Sequence, residues 1–96
     1  MPYRIEYAPE AENHLRALTA RQRVIVLDTV DKQLRYQPTV QTKNRKPLRP
    51  NLLAPWELRI GNLRIYYRVE EARELMVYIH AIGLKRRNQV WIGNEV

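Results

Sequence analysis

The first regular pattern of apolar and polar positions lies at the start of the chain, where every second residue from 3 to 7 is apolar. A period of two residues is typical of a strand with one buried face. Pro9 then suits the first position of a helix, and Ala11, Leu15 and Leu18 continue as an apolar stripe. The pattern predicts a short strand followed by a helix that ends near Leu18.

A second helix is predicted directly after the first. Thr19 and Gln22 have the spacing of a capping box, in which each side chain bonds the backbone N–H of the other residue. The residues expected to form the buried stripe of this helix are Val26, Leu27, Val30 and Leu34. The helix should end before Pro38, because proline disfavours helical geometry in the residue before it. The two helices would form a hairpin.

Three further strands are predicted in the second half of the chain. Residues 37 to 55 hold four of the six prolines and are predicted to be a loop. After this loop, apolar and polar residues alternate from Trp56 to Ile60 and again over residues 63 to 69, with Gly61-Asn62 as a two-residue turn between the two strands. A third alternating segment over residues 75 to 81 predicts another strand, which should end at Gly83. Sequential hairpins make these strands antiparallel. We therefore expect one α+β domain over residues 1–96: a strand, a two-helix hairpin and a three-stranded antiparallel meander, with the helices on one face of a small sheet.

The strand parity separates the side chains of the meander into two faces. Those expected to point towards the helices are Trp56, Leu58, Ile60, Leu63, Ile65, Tyr67, Val69, Val77, Ile79 and Ala81. Those expected on the open face are Glu57, Arg59, Arg64, Tyr66, Arg68, Met76, Tyr78 and His80, with a Lys85-Arg86-Arg87 loop at the rim. A solvated sheet face also alternates, but three arginines on one face favour contact with phosphates.

Charge supports an anionic partner. Residues 1 to 36 carry six basic and five acidic side chains (+1), whereas residues 37 to 96 carry eleven and five (+6), which together give the formal net charge of +7. An excess of this kind favours a polyanion such as nucleic acid. The chain has no cysteine, no signal-peptide pattern and no apolar run long enough for a membrane span, so a soluble cytoplasmic protein without a membrane partner is expected.

The residue types limit the chemistry that the open face can perform. With two histidines, no cysteine and no carboxylate cluster at ligand spacing, neither a metal site nor a cofactor is predicted. Metal-free RNA cleavage remains feasible. In that reaction the 2′-hydroxyl attacks its own phosphate, and basic side chains stabilise the added negative charge.

Several segments together resemble the RelE/ParE toxin superfamily of type II toxin–antitoxin modules. They are Lys46-Pro47-Leu48-Arg49, Trp56-Glu57-Leu58-Arg59, Leu63-Arg64-Ile65-Tyr66-Tyr67-Arg68-Val69, and Ala81-Ile82-Gly83-Leu84-Lys85-Arg86-Arg87-Asn88-Gln89-Val90-Trp91. The resemblance covers essentially the whole chain and implies a RelE-like fold. It also implies a cytoplasmic toxin that forms a hetero-oligomer with a cognate acidic antitoxin and cleaves mRNA in the A site of the 70S ribosome.

The resemblance implies roles for particular residues. Arg64 matches the arginine that acts on the scissile phosphate, Arg59 matches a basic residue of the preceding strand, and Lys85 or Arg86 matches the basic residue after the last strand. Glu57 stands where the best-known ribosome-dependent member has a lysine, so the general base is either Glu57 or a desolvated lysine. Trp91 stands where that member has a nucleotide-stacking tyrosine.

The remaining candidates are RNA contacts. Together with Trp91 they are Lys43, Arg45, Lys46, Arg49, Arg68 and Arg87. The alternative function is that of a ParE-like inhibitor of DNA gyrase without nuclease activity, which the incomplete set of nuclease residues favours. A third interpretation is a nontoxic nucleic-acid-binding domain.

Overall fold

The computed structural model describes residues 2–93. Within that part of the chain, two helices and six strands follow one another. They are, in chain order, β1 Arg4–Tyr7, α1 Pro9–Ala17, α2 Ala20–Leu34, β2 Arg45–Pro47, β3 Trp56–Ile60, β4 Leu63–Glu70, β5 Met76–Arg86 and β6 Gln89–Ile92. The predicted α+β class is confirmed, and β2 and β6 are strands that the sequence pattern did not predict.

The strands form one mixed sheet in the order β1-β5-β4-β3-β2. The predicted meander of β3, β4 and β5 is present and antiparallel. One edge of β5 is shared by two strands in succession, because β1 pairs in parallel with residues 76 to 79 and β6 pairs antiparallel with residues 83 to 86. β2 lies at the other end of the sheet, against β3.

Both helices pack against one face of the sheet. The Thr19 hydroxyl accepts from the Gln22 N–H at 3.1 Å, and the Gln22 side chain accepts from the Thr19 N–H at 3.0 Å, so the predicted capping box is confirmed. The side chains of the main core come from both helices and from the sheet: Ala11, Leu15, Val26, Val30, Leu34, Leu58, Leu63, Ile65, Tyr67, Val77, Ile79 and Ile82. The predicted burial of Leu27 is wrong, since the stripe of α2 repeats every four residues and Leu27 lies exposed one position off it.

The opposite face of the sheet is not fully open, contrary to the prediction. A second, smaller core covers part of it. Its side chains are Ala54, Tyr66 and Ala81, packed with Leu48, Val90 and Ile92. The loop before β3 and the strand β6 therefore fold over the face that the helices leave uncovered.

A bulge in β5 changes its side-chain parity. Tyr67 pairs with Ile79 whereas Tyr66 pairs with Ala81, so His80 has no partner on β4. One extra residue in a strand turns the following side chains to the other face. The predicted position of Ala81 in the main core is therefore wrong: Ile82 takes that place, and Ala81 lies in the smaller core.

β5 also extends further than the sequence indicated. Gly83 does not end the strand, which continues to Arg86 and returns through a tight turn into β6. Lys85 and Arg86 are therefore strand residues and not part of a loop. Arg87 lies in the turn with a φ of 57°, the left-handed conformation that such two-residue turns require.

Candidate functional site

The sheet surface opposite the helices carries a cluster of charged side chains near the β3–β4 turn. We call this surface the basic face and define it by Lys46, Glu57, Arg59, Arg64 and Lys85. Arg59 pairs with Arg64 across the strands, and Lys46 pairs with Glu57. On β5, Gly83 pairs with Arg64, and Lys85, two residues further on, faces the same side of the sheet. The Lys85 backbone N–H donates to the Asn62 carbonyl in the β3–β4 turn at 2.7 Å. The fold thus brings together most of the predicted catalytic residues.

Glu57 and Arg59 form an ion pair in this cluster. The Arg59 Nε–H donates to Glu57 Oε1 at 2.7 Å; the Glu57 side chain is nearly buried, whereas 44% of the Arg59 side chain is exposed. A buried carboxylate is costly without such a partner. One edge of the Arg59 guanidinium therefore neutralises Glu57 while much of the side chain faces solvent.

Tyr66 lies beside Glu57 as its partner on β4. Burial, with the neighbouring Glu57 carboxylate as a lesser cause, raises the pKa of Tyr66 to about 12. The phenol is therefore protonated at neutral pH and can donate a hydrogen bond. Tyr66 was not among the predicted site residues, although the two-residue turn at Gly61-Asn62 fixes its position opposite Glu57.

Arg64 lies on the predicted face but is only 7% exposed. Its Nη1 donates to the carbonyls of Gly61 at 2.7 Å and Leu63 at 2.9 Å, so the guanidinium ties down the β3–β4 turn. Its β5 partner is Gly83, where a Cβ would lie 2.6 Å from the Val90 side chain of β6, so β6 packs closely over β5 at this position. Arg64 is thus a buried support of the cluster as well as a candidate phosphate contact.

The prediction that Arg45 belongs to a basic surface loop is wrong. Arg45 is a buried residue of β2, and its guanidinium donates to the carbonyls of Val40 at 3.1 Å and Gln33 at 2.6 Å. Through these bonds, Arg45 joins β2 to the loop before it and to the last turn of α2. The placement gives no support to a contact between Arg45 and RNA.

Two further candidates lie on the helix side of the sheet. Trp91 pairs with Leu84, whose side chain packs in the main core, and Trp91 and Arg86 both line a cleft of about 220 Å³ beside α1 and α2. Neither side chain is therefore grouped with Arg59 and Arg64. Of the two residues that the resemblance offered as the basic residue after the last strand, the parity of β5 places Lys85 on the face of Arg59 and Arg64, and Arg86 on the opposite face.

The other predicted RNA contacts differ in exposure and position. Lys43, Arg49 and Arg87 are exposed in loops or turns, and Lys46 is half-buried on β2. Arg68 lies further along β4, with its guanidinium 4.1 Å from the centre of the Tyr78 ring and 3.2 Å from Glu70 Oε2.

His80, the extra residue of the bulge, shares a cleft with Arg68. The cleft has a volume of about 420 Å³ and lies between these strands and residues 48 to 55. Burial, and secondarily the charge of Arg68, lowers the pKa of His80, while Glu10 opposes this effect. The imidazole is therefore neutral at neutral pH.

Residues 2 to 93 contain neither a group of metal-ligating side chains nor a membrane-spanning helix. In this range, no three histidine, aspartate or glutamate side chains are grouped closely enough to hold a metal ion. None of the described helices is long and apolar enough to cross a membrane.

A comparison with solved structures supports the predicted fold, whereas two other comparisons found no match. No protein-family model and no curated protein matches the chain. Among solved structures, it is similar to a chain in the crystal structure of the toxin–antitoxin complex RelBE2 from Mycobacterium tuberculosis, with a TM-score of 0.75 and 25% sequence identity over 88% of this chain and 100% of that chain. The likeness confirms the predicted resemblance to RelE-like toxins, and the chain has a RelE-like fold.

Proposed function

We propose that the chain is the toxin of a type II toxin–antitoxin module and acts as a metal-free endoribonuclease on mRNA in the ribosome. The likeness to a chain of a toxin–antitoxin complex supports the toxin role and an antitoxin partner. The observation that carries the nuclease activity is the grouping of Glu57, Arg59, Arg64 and Lys85 around one turn of the sheet. Its setting would be the cytoplasm, where an acidic antitoxin would hold the toxin in an inactive hetero-oligomer.

The proposed reaction uses the cluster in three roles. Glu57 accepts the proton of the RNA 2′-hydroxyl, whose oxygen attacks the adjacent phosphorus. Arg59 and Arg64, with the Tyr66 phenol, stabilise the negative charge that builds up on the phosphate. Lys85 donates a proton to the 5′-oxygen as its bond to phosphorus breaks, so that a 2′,3′-cyclic phosphate and a 5′-hydroxyl are produced.

Of the two candidate bases, we favour Glu57 over a lysine. Its side chain is already desolvated and lies between Arg59 and Tyr66, so substrate binding would compete for the Arg59 guanidinium and release the carboxylate. Lys46, the half-buried neighbour of Glu57 on β2, is the lysine best placed to replace it.

The second candidate function is that of a ParE-like gyrase inhibitor. The observation that favours it is the internal use of both arginines: Arg59 pairs with Glu57, and Arg64 bonds the β3–β4 turn. Arginines that mainly stabilise the sheet would be consistent with a toxin that binds its target without cleaving RNA.

Substitution of Lys85 and Arg59 separates these functions. Lys85→Gln and Arg59→Gln should each lower mRNA cleavage by about a hundredfold or more, because each removes a positioned charge. Lys85→Gln is the more direct test, because Arg59→Gln also leaves the nearly buried Glu57 carboxylate without its partner and Arg64→Ala removes bonds to the turn. Lys32→Gln, which removes an exposed charge from α2, serves as the matched control.

The measurements are growth after induction, mapping of RNA 5′ ends and induction of the DNA-damage response. Cleavage that depends on Lys85 and Arg59 supports the nuclease. DNA damage without new RNA ends would establish the gyrase function instead. Normal growth with retained RNA binding would point to a nontoxic nucleic-acid-binding domain.

A further inference from the structure

The loop between β2 and β3 is held by the hydrogen bonds of one side chain, Asn51, and by a backbone bond at its base. Asn51 Nδ2 donates to the carbonyls of Arg49 at 2.7 Å and Ala54 at 2.9 Å, while its Oδ1 accepts from the N–H groups of Leu53 at 2.7 Å and Ala54 at 2.9 Å. The Leu48 N–H donates to the Pro55 carbonyl at 2.8 Å and closes the base of the loop. The loop is therefore preorganised, and binding to it costs little conformational entropy.

This rigid loop presents apolar side chains to solvent. Leu52 is fully exposed, and Leu53 is partly exposed next to it. Single exposed leucines are common on protein surfaces. Here, however, the two leucines are adjacent on a loop whose backbone is held by hydrogen bonds and which also forms one wall of a cleft, so they extend the apolar surface of that cleft.

The cleft behind the leucines has a basic wall. Arg49 lies on the loop side and Arg68 on the sheet side, next to His80. The Arg68 guanidinium is oriented by the Tyr78 ring beneath it and by Glu70 beside it. The volume of about 420 Å³ is enough for one or two side chains.

We propose that residues 48 to 55 and this cleft form a docking site for an acidic segment of a protein partner, with an apolar side chain of that segment seated against Leu52 and Leu53 and its carboxylates on Arg49 and Arg68. The charge complementarity follows from the two arginines and from the +6 excess of residues 37 to 96. The identification of this partner as the antitoxin rests on the proposed function. The docking itself does not require nuclease activity.

A protein segment fits this site better than single-stranded RNA. Proteins hold unpaired bases chiefly on aromatic side chains. Residues 48 to 55 contain three leucines, two prolines and an alanine but no aromatic residue. Leucines at a rigid tip complement aliphatic side chains, and the arginines complement carboxylates as well as phosphates.

The docking site can be tested by NMR titration of the purified chain with synthetic peptides. The probe is a short peptide in which leucines are flanked by glutamates. Two matched peptides replace either the leucines by alanine or the glutamates by lysine, and a single-stranded oligouridylate serves as the nucleic-acid probe. We expect the leucine–glutamate peptide to shift the signals of Leu52, Leu53, Arg68 and His80, and the matched peptides to cause little shift there.

Matched variants test the two halves of the site. Leu52→Ala should weaken binding of the leucine–glutamate peptide by about tenfold. Val24→Ala, which truncates an exposed apolar side chain on α2, should leave it unchanged. Arg68→Gln should also weaken binding, whereas Arg4→Gln, which removes an exposed arginine paired with Glu74, should not.

Three outcomes would overturn the docking site. They are the absence of shifts with the leucine–glutamate peptide, shifts centred elsewhere, or equal binding of the alanine peptide. If the oligouridylate shifts Arg68 and His80 while the peptide does not, the cleft belongs to RNA. None of these measurements involves mRNA cleavage. A negative result would therefore contradict the docking site without contradicting the proposed nuclease activity.

Discussion

The arginines of the second half of the chain carry the same charge but have different surroundings. Arg45 is buried and donates to the Gln33 and Val40 carbonyls, whereas Arg59 is half-exposed beside Glu57. Arg49 extends from the surface of the loop before β3. Hydrogen bonds from a charged donor to buried carbonyls stabilise the fold, so the charge of Arg45 serves folding and that of Arg59 can serve binding.

This difference predicts the effect of removing the Arg45 guanidinium. Arg45→Gln cannot reach both carbonyls, and the free energy of unfolding should fall by about 2 kcal/mol. Arg49→Gln, at an exposed position, should change it by less than about 0.5 kcal/mol. Urea denaturation of both variants measures the difference. Equal stability of the two variants would show that the buried bonds of Arg45 contribute nothing.

Sequence parity located some of these side chains and not others. The alternation from Trp56 to Val69 correctly assigns Glu57, Arg59 and Arg64 to one face, because the two-residue turn leaves a single register. It does not show that Arg64 is buried, because alternation assigns a side chain to a face and says nothing about whether other parts of the chain cover that face. Arg45 was misplaced for a similar reason: its hydrogen-bond partners lie in distant parts of the chain.

At the scale of elements, a bulge within β5 and the strand β6 that pairs with its edge explain which predictions were wrong. A one-residue bulge at His80 has no signature in the pattern, yet it reverses the faces of all residues after it. β6 was missed because Arg87-Asn88 lacks the glycine usual in tight hairpin turns. These two features move Trp91 and Arg86 to the helix side and leave Lys85 near Arg64.

The same edge has a gap between β1 and β6 that α1 fills. β1 ends opposite Ile79 and the antiparallel β6 ends opposite Gly83, and within the gap the Ile82 N–H donates to His14 Nδ1 at 3.2 Å. The bond requires an unprotonated Nδ1. Burial lowers the pKa of His14, and the opposing effect of Glu10 is smaller.

Stability should therefore depend on the protonation of His14. Well above a pH of about 6.5, the ordinary pKa of histidine, His14 is neutral in both the folded and the unfolded chain, and this contribution is complete. As the pH falls below that value, the unfolded chain binds the proton first because the folded pKa is lower, so stability is lost. His14→Asn keeps an acceptor near the position of Nδ1 without the titration, and should show a smaller loss between pH 7.5 and pH 5.

Urea denaturation at the two pH values measures the effect. His80, whose pKa is also lowered, contributes a separate share, which His80→Asn should remove independently. An identical loss of stability in the wild type and in His14→Asn would mean that the His14 bond does not couple the helix to the sheet edge.

At the scale of the whole molecule, the fold gives the basic residues of the second half different surroundings. Arg45 is buried against α2 and Arg86 lies on the helix side, whereas Arg59 and Lys85 are the more exposed members of the basic face and Arg64 is its buried member. Binding of a polyanion should therefore involve fewer contacts than the eleven basic residues after position 36 would allow. The number of contacts can be measured, because each phosphate contact releases counterions.

The salt dependence of RNA binding should identify the residues that make these contacts. For single-stranded RNA, the logarithm of the affinity should fall with the logarithm of salt concentration by about 0.7 for each contact. Lys85→Gln and Arg59→Gln should each reduce the slope by roughly that amount. Arg45→Gln and Lys32→Gln should leave the slope unchanged, because Arg45 is buried and Lys32 pairs with Asp28 on α2. Fluorescence anisotropy with a labelled oligonucleotide over a range of KCl concentrations provides the slopes. Equal reductions in all four variants would mean that RNA responds to the total charge of the chain, and the basic face would then have no special part in binding.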